Sequence, residues 1–418
     1  MQAGWRIGTI FGIPLYIDPS WLIILGIFTF ANGYNLQEAY PQWKLVTVWG
    51  IGFSIAILLF ASVLLHELGH SLVARSQGIK VSSITLFLFG GIASIDRESQ
   101  TPGLAFQVAI AGPCVSIILF GLLNLLSYLL PALSPAEVLV AHLANINLVL
   151  ALFNLIPGLP LDGGQILKAA VWKLKGDRFQ GIHWAARTGQ ILGWAAIIFS
   201  GLSYIITSEP GILWIGLLGW FVLRNASAYD QITNLQESLL QLTAADAMTR
   251  EFRVIDADMT LRQFADDYLL QATQPEVYFA ASDGRYRGLV SLDDFRALER
   301  SEWETQTVRS IVKPLDAIET VEEKTPLVEA IERIESDKLS RITVLSPAGA
   351  VAGIIDRGDI VRAMAQKLNI KISEVQIKRI KEEGIYPPGL PIPAIASAAA
   401  ESVPTQTKEP LSISKARD

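Results

Sequence analysis

At 418 residues, 51% hydrophobic and only 18% charged, with a mean hydropathy of +0.38, the chain is too apolar for an ordinary water-soluble protein. Its net charge of -6, with no long basic run, argues against a nucleic-acid partner. The single cysteine, Cys114, excludes an intramolecular disulfide and leaves the redox compartment open.

The apolar excess lies before residue 230, where six segments are long or apolar enough to cross a bilayer, which takes about 20 residues of helix. They are expected near 15–34, 45–73, 103–130, 137–156, 187–207 and 211–229, the last with the shortest apolar core. No short apolar core with a small-residue cleavage site precedes Pro14, so no cleavable signal peptide is expected. Arg75, Lys80, Arg97, Lys168, Lys173, Lys175 and Arg178 fall in the loops on one side, whereas the opposite loops carry only Lys44. By the positive-inside rule both termini are then cytoplasmic.

The second segment opens with twenty-one uncharged residues, Leu45 to Leu65, and runs straight into HELGH, residues 66–70. An ionisable group at membrane depth costs about 3 kcal/mol or more, so it needs a task or a partner. On a helix His66 and His70 share a face and can offer two imidazoles to one tetrahedral zinc ion. Glu67 projects about 100° round the axis from His66, within reach of a water on the metal's open position. This is the arrangement of a zinc hydrolase, and the alternative is a pair of buried polar residues hydrogen-bonded between helices. Gly69, beside the ligands, lets another backbone come close.

Residues 81–95, VSSITLFLFGGIASI, are β-branched and aromatic with a break at Gly90-Gly91, and predict one or two strands held within protein near the membrane surface. A third metal ligand is expected from FNLIPGLPLDGG, residues 153–164, whose prolines and glycines imply irregular backbone lining a cavity. Asp162 is the candidate, with N-cap of a helix starting at Gly163 as its other possible role. Of the remaining histidines, His142 suits a polar contact within the helix bundle, and His183 stands apart from the motif.

After Arg224 the composition becomes that of a soluble domain with an internal repeat: Gly288 to Asp294 recurs as Gly353 to Asp359 at an offset of 65 residues, which also relates Thr260 to Thr325 and Gly284 to Gly349. Each repeat predicts a strand, a helix, two strands about a glycine turn and a closing helix. From about Tyr386 to residue 418, Pro, Ala, Ser and Thr dominate and disorder is expected.

These pieces resemble the site-2 protease family of intramembrane zinc metalloproteases: HELGH at 66–70, Gly90-Gly91-Ile-Ala, AGP at 111–113 and NLIPGLPLDGG at 154–164, together covering residues 5 to 230. The resemblance implies one zinc ion held by His66, His70 and Asp162, Glu67 as general base, and Asn154 orienting substrate or oxyanion, with Gly90 and Gly91 at the substrate. Pro160-Leu161-Asp162-Gly163 stands where the family usually has Asn-Pro-Asp-Gly, which weakens roles for the neighbours of Asp162. Residues 243–366 resemble a pair of cystathionine-β-synthase-type (CBS) domains, 243–300 and 307–366, which in many proteins bind adenine nucleotides. By that resemblance Ser291, Asp294 and Asp359 would contact the ribose, while Asp356, in place of a hydroxyl residue, would repel phosphate. A ligand-free dimerisation or docking module is the other reading of the pair.

The expected protein is thus a polytopic α-helical membrane protein with a short β segment, residues 1–230, followed by a cytosolic α/β tandem CBS module. Its expected activity is hydrolysis of peptide bonds in or near transmembrane segments of membrane-anchored protein substrates, in a bacterial cell membrane or a thylakoid-type one. A substrate helix must unwind before water can attack, and pairing with the strand at 81–95 would hold it open. A CBS-regulated transporter or channel with its histidines on an ion path is the rival, although no two symmetric halves are visible.

Overall fold

The computed structural model describes residues 4–87, 90–270, 277–387 and 389–402. The chain divides into two units, Met1–Thr233 and Asn234–Asp418.

In the first unit, Phe11 and Gly12 both take positive φ, 49° and 78°, the conformation of a two-residue hairpin turn. Strands β1 (Trp5–Ile10) and β2 (Ile13–Ile17) therefore fold back on each other, with Ile10 opposite Ile13. This corrects the first expected membrane segment. Asp18 precedes a proline, which disfavours helix at that position, so the chain stays extended to Ile17 and helix α1 runs from Ser20 to Ala39. Helix α2 (Leu45–Ser76) is uninterrupted and carries the HELGH turn near its C-terminal end. Both strands expected at 81–95 form, as β3 (Val81–Phe87) and β4 (Gly90–Ile95). β2 runs parallel to β3 and β3 antiparallel to β4, giving the order β1-β2-β3-β4 with β4 at an edge. The sheet buries Ile13, Leu15, Val81 and Ile84 against Leu68 and Ala74 of α2, which fixes it beside the histidines.

Helices α3 (Pro102–Leu129) and α4 (Pro135–Asn154) each begin behind a hydroxyl cap, Thr101 and Ser134, with proline in the first turn. They are followed by α5 (Asp162–Lys175), α6 (Arg178–Thr207) and α7 (Leu213–Leu240). Among the described residues five helices, not six, are long and apolar enough to cross a membrane: Leu45–Ser76, Pro102–Leu129, Pro135–Asn154, Arg178–Thr207 and Pro210–Leu240. Helix α1 falls short because its last turns, with Asn32, Asn35, Gln37 and Glu38, are polar. Large apolar side chains face outward from the others, Leu122 at 60% and Ile205 at 78% exposure, a surface that suits lipid rather than water.

The second unit repeats one pattern twice. After the short α8 (Ala244–Ala247), the first copy comprises β5 (Phe252–Asp256), α9 (Leu261–Phe264), β6 (Val277–Ser282), β7 (Arg285–Val290) and α10 (Leu292–Ala297), with β8 (Val312–Lys313) added at the edge of its sheet. The second comprises β9 (Thr320–Glu322), α11 (Leu327–Ser336), β10 (Arg341–Leu345), β11 (Val351–Asp356) and α12 (Arg357–Lys367). In both the first strand runs parallel to the second and the second antiparallel to the third. Gly284 and Gly349, at φ of 73° and 74°, make the two equivalent hairpin turns. Helix α13 (Glu374–Glu383) follows, and α14 (Ile392–Ser402) occupies part of the tail expected to be disordered. There Ile392, Ile395, Ala396 and Ala399 bury a helical stripe in the core of the second copy, so apolar spacing outweighs the Pro- and Ala-rich composition. Residues 403–418 lie outside the described residues.

Candidate metal centre

His66 and His70 lie one helical turn apart on α2 and are buried, at 3% and 8% exposure. Asp162 is the first residue of α5, reached after the irregular stretch that follows α4. Leu161, not Asp162, occupies the N-cap position, and the Asp162 carboxylate turns to the histidines instead. Its Oδ2 is 3.0 Å from His66 Nε2 and 3.3 Å from His70 Nε2, and the two Nε2 atoms are 3.3 Å apart. Zinc–ligand bonds of about 2.0–2.1 Å place tetrahedral ligand atoms about 3.3 Å from one another, so the three donors already form one face of such a tetrahedron. His66, His70 and Asp162 are the metal-competent group of His, Cys, Asp and Glu found among the described residues.

Both rings are oriented from behind, as ligating histidines require. His66 Nδ1 is 2.9 Å from Ser116 Oγ on α3, and His70 Nδ1 is 2.7 Å from the Val108 carbonyl oxygen, which fixes a proton on that nitrogen and leaves Nε2 to accept a metal. Neither partner is legible in the sequence, since a lone serine in an apolar helix carries no signal until the helices are packed. Close approach of α3 depends on Gly112: a Cβ there would lie 2.6 Å from His66 Nε2 and nearer still to His70 Nε2. Gly69 plays the part expected of it, with α3's Ala111 carbonyl oxygen 3.1 Å from where its Cβ would be.

Glu67 points into the same cavity, which has a volume of about 530 Å3 and is also lined by His66, His70, Asn154, Asp162, Gly91 and Ala93. The Ala93 backbone N–H of β4 donates to its carboxylate. Asn154, the last residue of α4, brings its Nδ2 to 3.4 Å from His66 Nε2. Gly91 lies under Glu67: a Cβ there would be 2.5 Å from Glu67 Cγ and 3.1 Å from Cδ. Gly91→Ala should therefore swing Glu67 aside and lower turnover by about 100-fold while zinc content, read by elemental analysis, stays at the wild-type level. Loss of the metal together with turnover would mean that β4 supports the ligands as well. Gly90, with φ of 134°, starts β4 and has open space around it, so it is placed for the turn rather than for Glu67. His142 lies on α4 away from the donor atoms, and His183 on α6 pairs with Asp230 at 2.6 Å, so neither joins the cluster.

In the second unit, Ser291 caps α10 by accepting the Asp294 N–H at 3.3 Å, and the Asp294 side chain is about half exposed. Asp359 is placed differently. It is 1% exposed and engaged by Lys381 Nζ at 2.7 Å, Arg362 at 3.2 Å and Thr249 Oγ1 at 3.3 Å. Burial and the adjacent Asp356 carboxylate push its carboxyl up to about 6 against the pull of Lys381. A ribose hydroxyl would have to displace that lysine.

The profile of Peptidase family M50 matches residues 54–137 and 132–196, and the CBS domain profile matches 308–366. A candidate zinc metalloprotease of Synechocystis sp. is 41% identical over 87% of this chain and 96% of its own length. The candidate zinc metalloprotease Rip3 of Mycobacterium tuberculosis is 31% identical over 87% and 93%. Among solved structures, the site-2 protease from Methanocaldococcus jannaschii is 31% identical, covering 54% of this chain and 95% of that one at a TM-score of 0.40. The transporter reading finds no support in these matches.

Proposed function

The chain belongs to Peptidase family M50, the site-2 protease family of zinc metalloproteases, and on that premise we propose that His66, His70 and Asp162 hold its zinc ion, with Glu67 as general base. The observation that carries this assignment is the set of three donor atoms 3.0–3.3 Å apart with a glutamate in the same cavity. When bound, zinc supplies Lewis-acid polarisation of a scissile carbonyl and acidifies a water. Glu67 takes the proton of the attacking water and returns it to the leaving amine. Asn154 directs its amide N–H at the oxyanion that develops. β4 is the last strand of its sheet, and its Ala93 N–H donates to Glu67, which supports a reading in which the strand's open edge lies beside the base. A substrate segment unwound from a membrane helix adds to that edge by main-chain hydrogen bonds, which brings its peptide bond beside Glu67.

The substrate is a membrane-anchored protein cut in or near its spanning segment, in keeping with the chain's own five membrane-length helices. The basic loops support a cytoplasmic second unit in a bacterial cell membrane or a thylakoid-type membrane, and the pairing of β2 with β3, just beyond the basic end of α2, supports the same side for the N-terminus. Residues 243–300 and 307–366 make two CBS repeats, and an adenine nucleotide would enter through Ser291 and Asp294, since Lys381 holds Asp359. The test is metal removal. Full-length protein in liposomes should cleave a model single-span substrate, lose that activity on chelation and regain it with added zinc. Cleavage that persists after the metal has been stripped, as verified by elemental analysis, overturns the assignment.

A further inference from the structure

The cavity that holds the metal-competent cluster extends along α5 to a second charged group that hydrolysis leaves unused: its wall also carries Glu98, Lys168, Asn225 and Tyr229. Lys168, on α5, is buried at 6% exposure, and Arg178 opens α6. Both donate to one oxygen of Glu98, at 2.5 Å and 2.9 Å. Glu98 itself lies between β4 and α3, outside any helix or strand, with its side chain 54% exposed. Two cations on helices packed together through Leu167, Ile182, Ala185 and Ala186 thus meet one carboxylate on a loop. A buried lysine is costly without an anion, so this place in the cavity is built for a carboxylate. Two positive charges against one negative leave it still attractive to another.

We propose that Lys168 and Arg178 form a carboxylate-reading subsite of the substrate cleft, with Glu98 as its tethered occupant. An acidic side chain of the substrate takes the place of Glu98, and the protein thereby selects chains that carry Asp or Glu at a set distance from the bond cut. That distance follows from the helix. Lys168 lies six residues beyond Asp162 on α5, about 9 Å along the axis at 1.5 Å per residue. An extended chain covers this in about three residues at 3.3 Å each. The acidic residue is therefore expected about three positions from the scissile bond, on the side that runs along α5. Only the location of that bond rests on the metalloprotease assignment.

The test uses the zinc-loaded, full-length Glu67→Gln protein, so that binding is read without cleavage. A single glutamate is walked residue by residue through a fluorescent single-span peptide, with glutamine at the same place as the control. One position should bind about tenfold tighter than its glutamine control, as a charge-assisted contact predicts. Lys168→Met should level the series and Lys168→Arg should keep it, while Glu98→Gln, which vacates the cations, should sharpen it. If Lys168→Met fails to fold, by zinc content and thermal midpoint, Arg178→Gln replaces it. A flat series in both the parent and Glu98→Gln, or a preference that survives loss of the cation in a folded variant, overturns the proposal. Failure of the protease assignment would show separately, as no metal-dependent cleavage of any substrate by wild type.

Discussion

Gly112→Ala should empty the metal site and abolish cleavage, whereas Gly103→Ala in the same helix should change neither. The added methyl at 112 would sit 2.6 Å from His66 Nε2, 2.8 Å from its Cδ2 and closer still to His70 Nε2, while at 103 nothing lies within 4 Å. Neither ring can retreat without cost. His66 is tied to Ser116 and His70 to the Val108 carbonyl, both on the same helix as Gly112. Relief must come from moving α3 away from α2 or from turning an imidazole, and either breaks the 3.0–3.3 Å spacing of the donors. Losing an outer hydrogen bond to a ligand costs about 10–100-fold in metal affinity, and displacing two ligands together should cost more than about 100-fold. Elemental analysis of the purified variant reads this directly. Full zinc occupancy in a folded Gly112→Ala protein would refute the packing argument.

Glu67→Gln should keep its zinc and lose cleavage by about 100- to 10,000-fold, the range expected when a positioned general base is removed. Glutamine has nearly the same shape, and its carbonyl oxygen can still accept the Ala93 N–H, so the cavity and β4 should stay where they are. What disappears is the ability to take up a proton. The measurement pairs turnover of a single-span substrate with zinc content on the same sample. Turnover within tenfold of wild type would remove Glu67 from the chemistry, and loss of zinc would make it a supporting residue of the metal site instead.

Much of this was legible in the residues themselves because it depends on neighbours close along the chain. His66 and His70 share a helix face by spacing alone, and a long apolar run places that face within a membrane segment. Strands at 81–95 follow from β-branched composition, and the second unit's two copies follow from an offset of 65 residues. Asp162 was reachable because an aspartate amid prolines and glycines after an apolar helix has few other duties.

Other features arise between segments far apart in sequence, and local pattern is blind to them. Strands β1 and β2 have weak alternation of their own and form because β3 offers a partner edge. Helix α14 was hidden by its composition until the core of the second copy received its apolar stripe. Lys381 is an ordinary charge on an amphipathic helix until α13 folds over Asp359. Gly112, Ser116 and the Lys168–Glu98–Arg178 group likewise acquire meaning only from what packs against them. Which side chains can do the chemistry follows from the residues alone, since spacing along a helix and the cost of charge in lipid are local matters. How near those side chains come, and what holds them, depends on the packed fold, because distance between segments is set by packing.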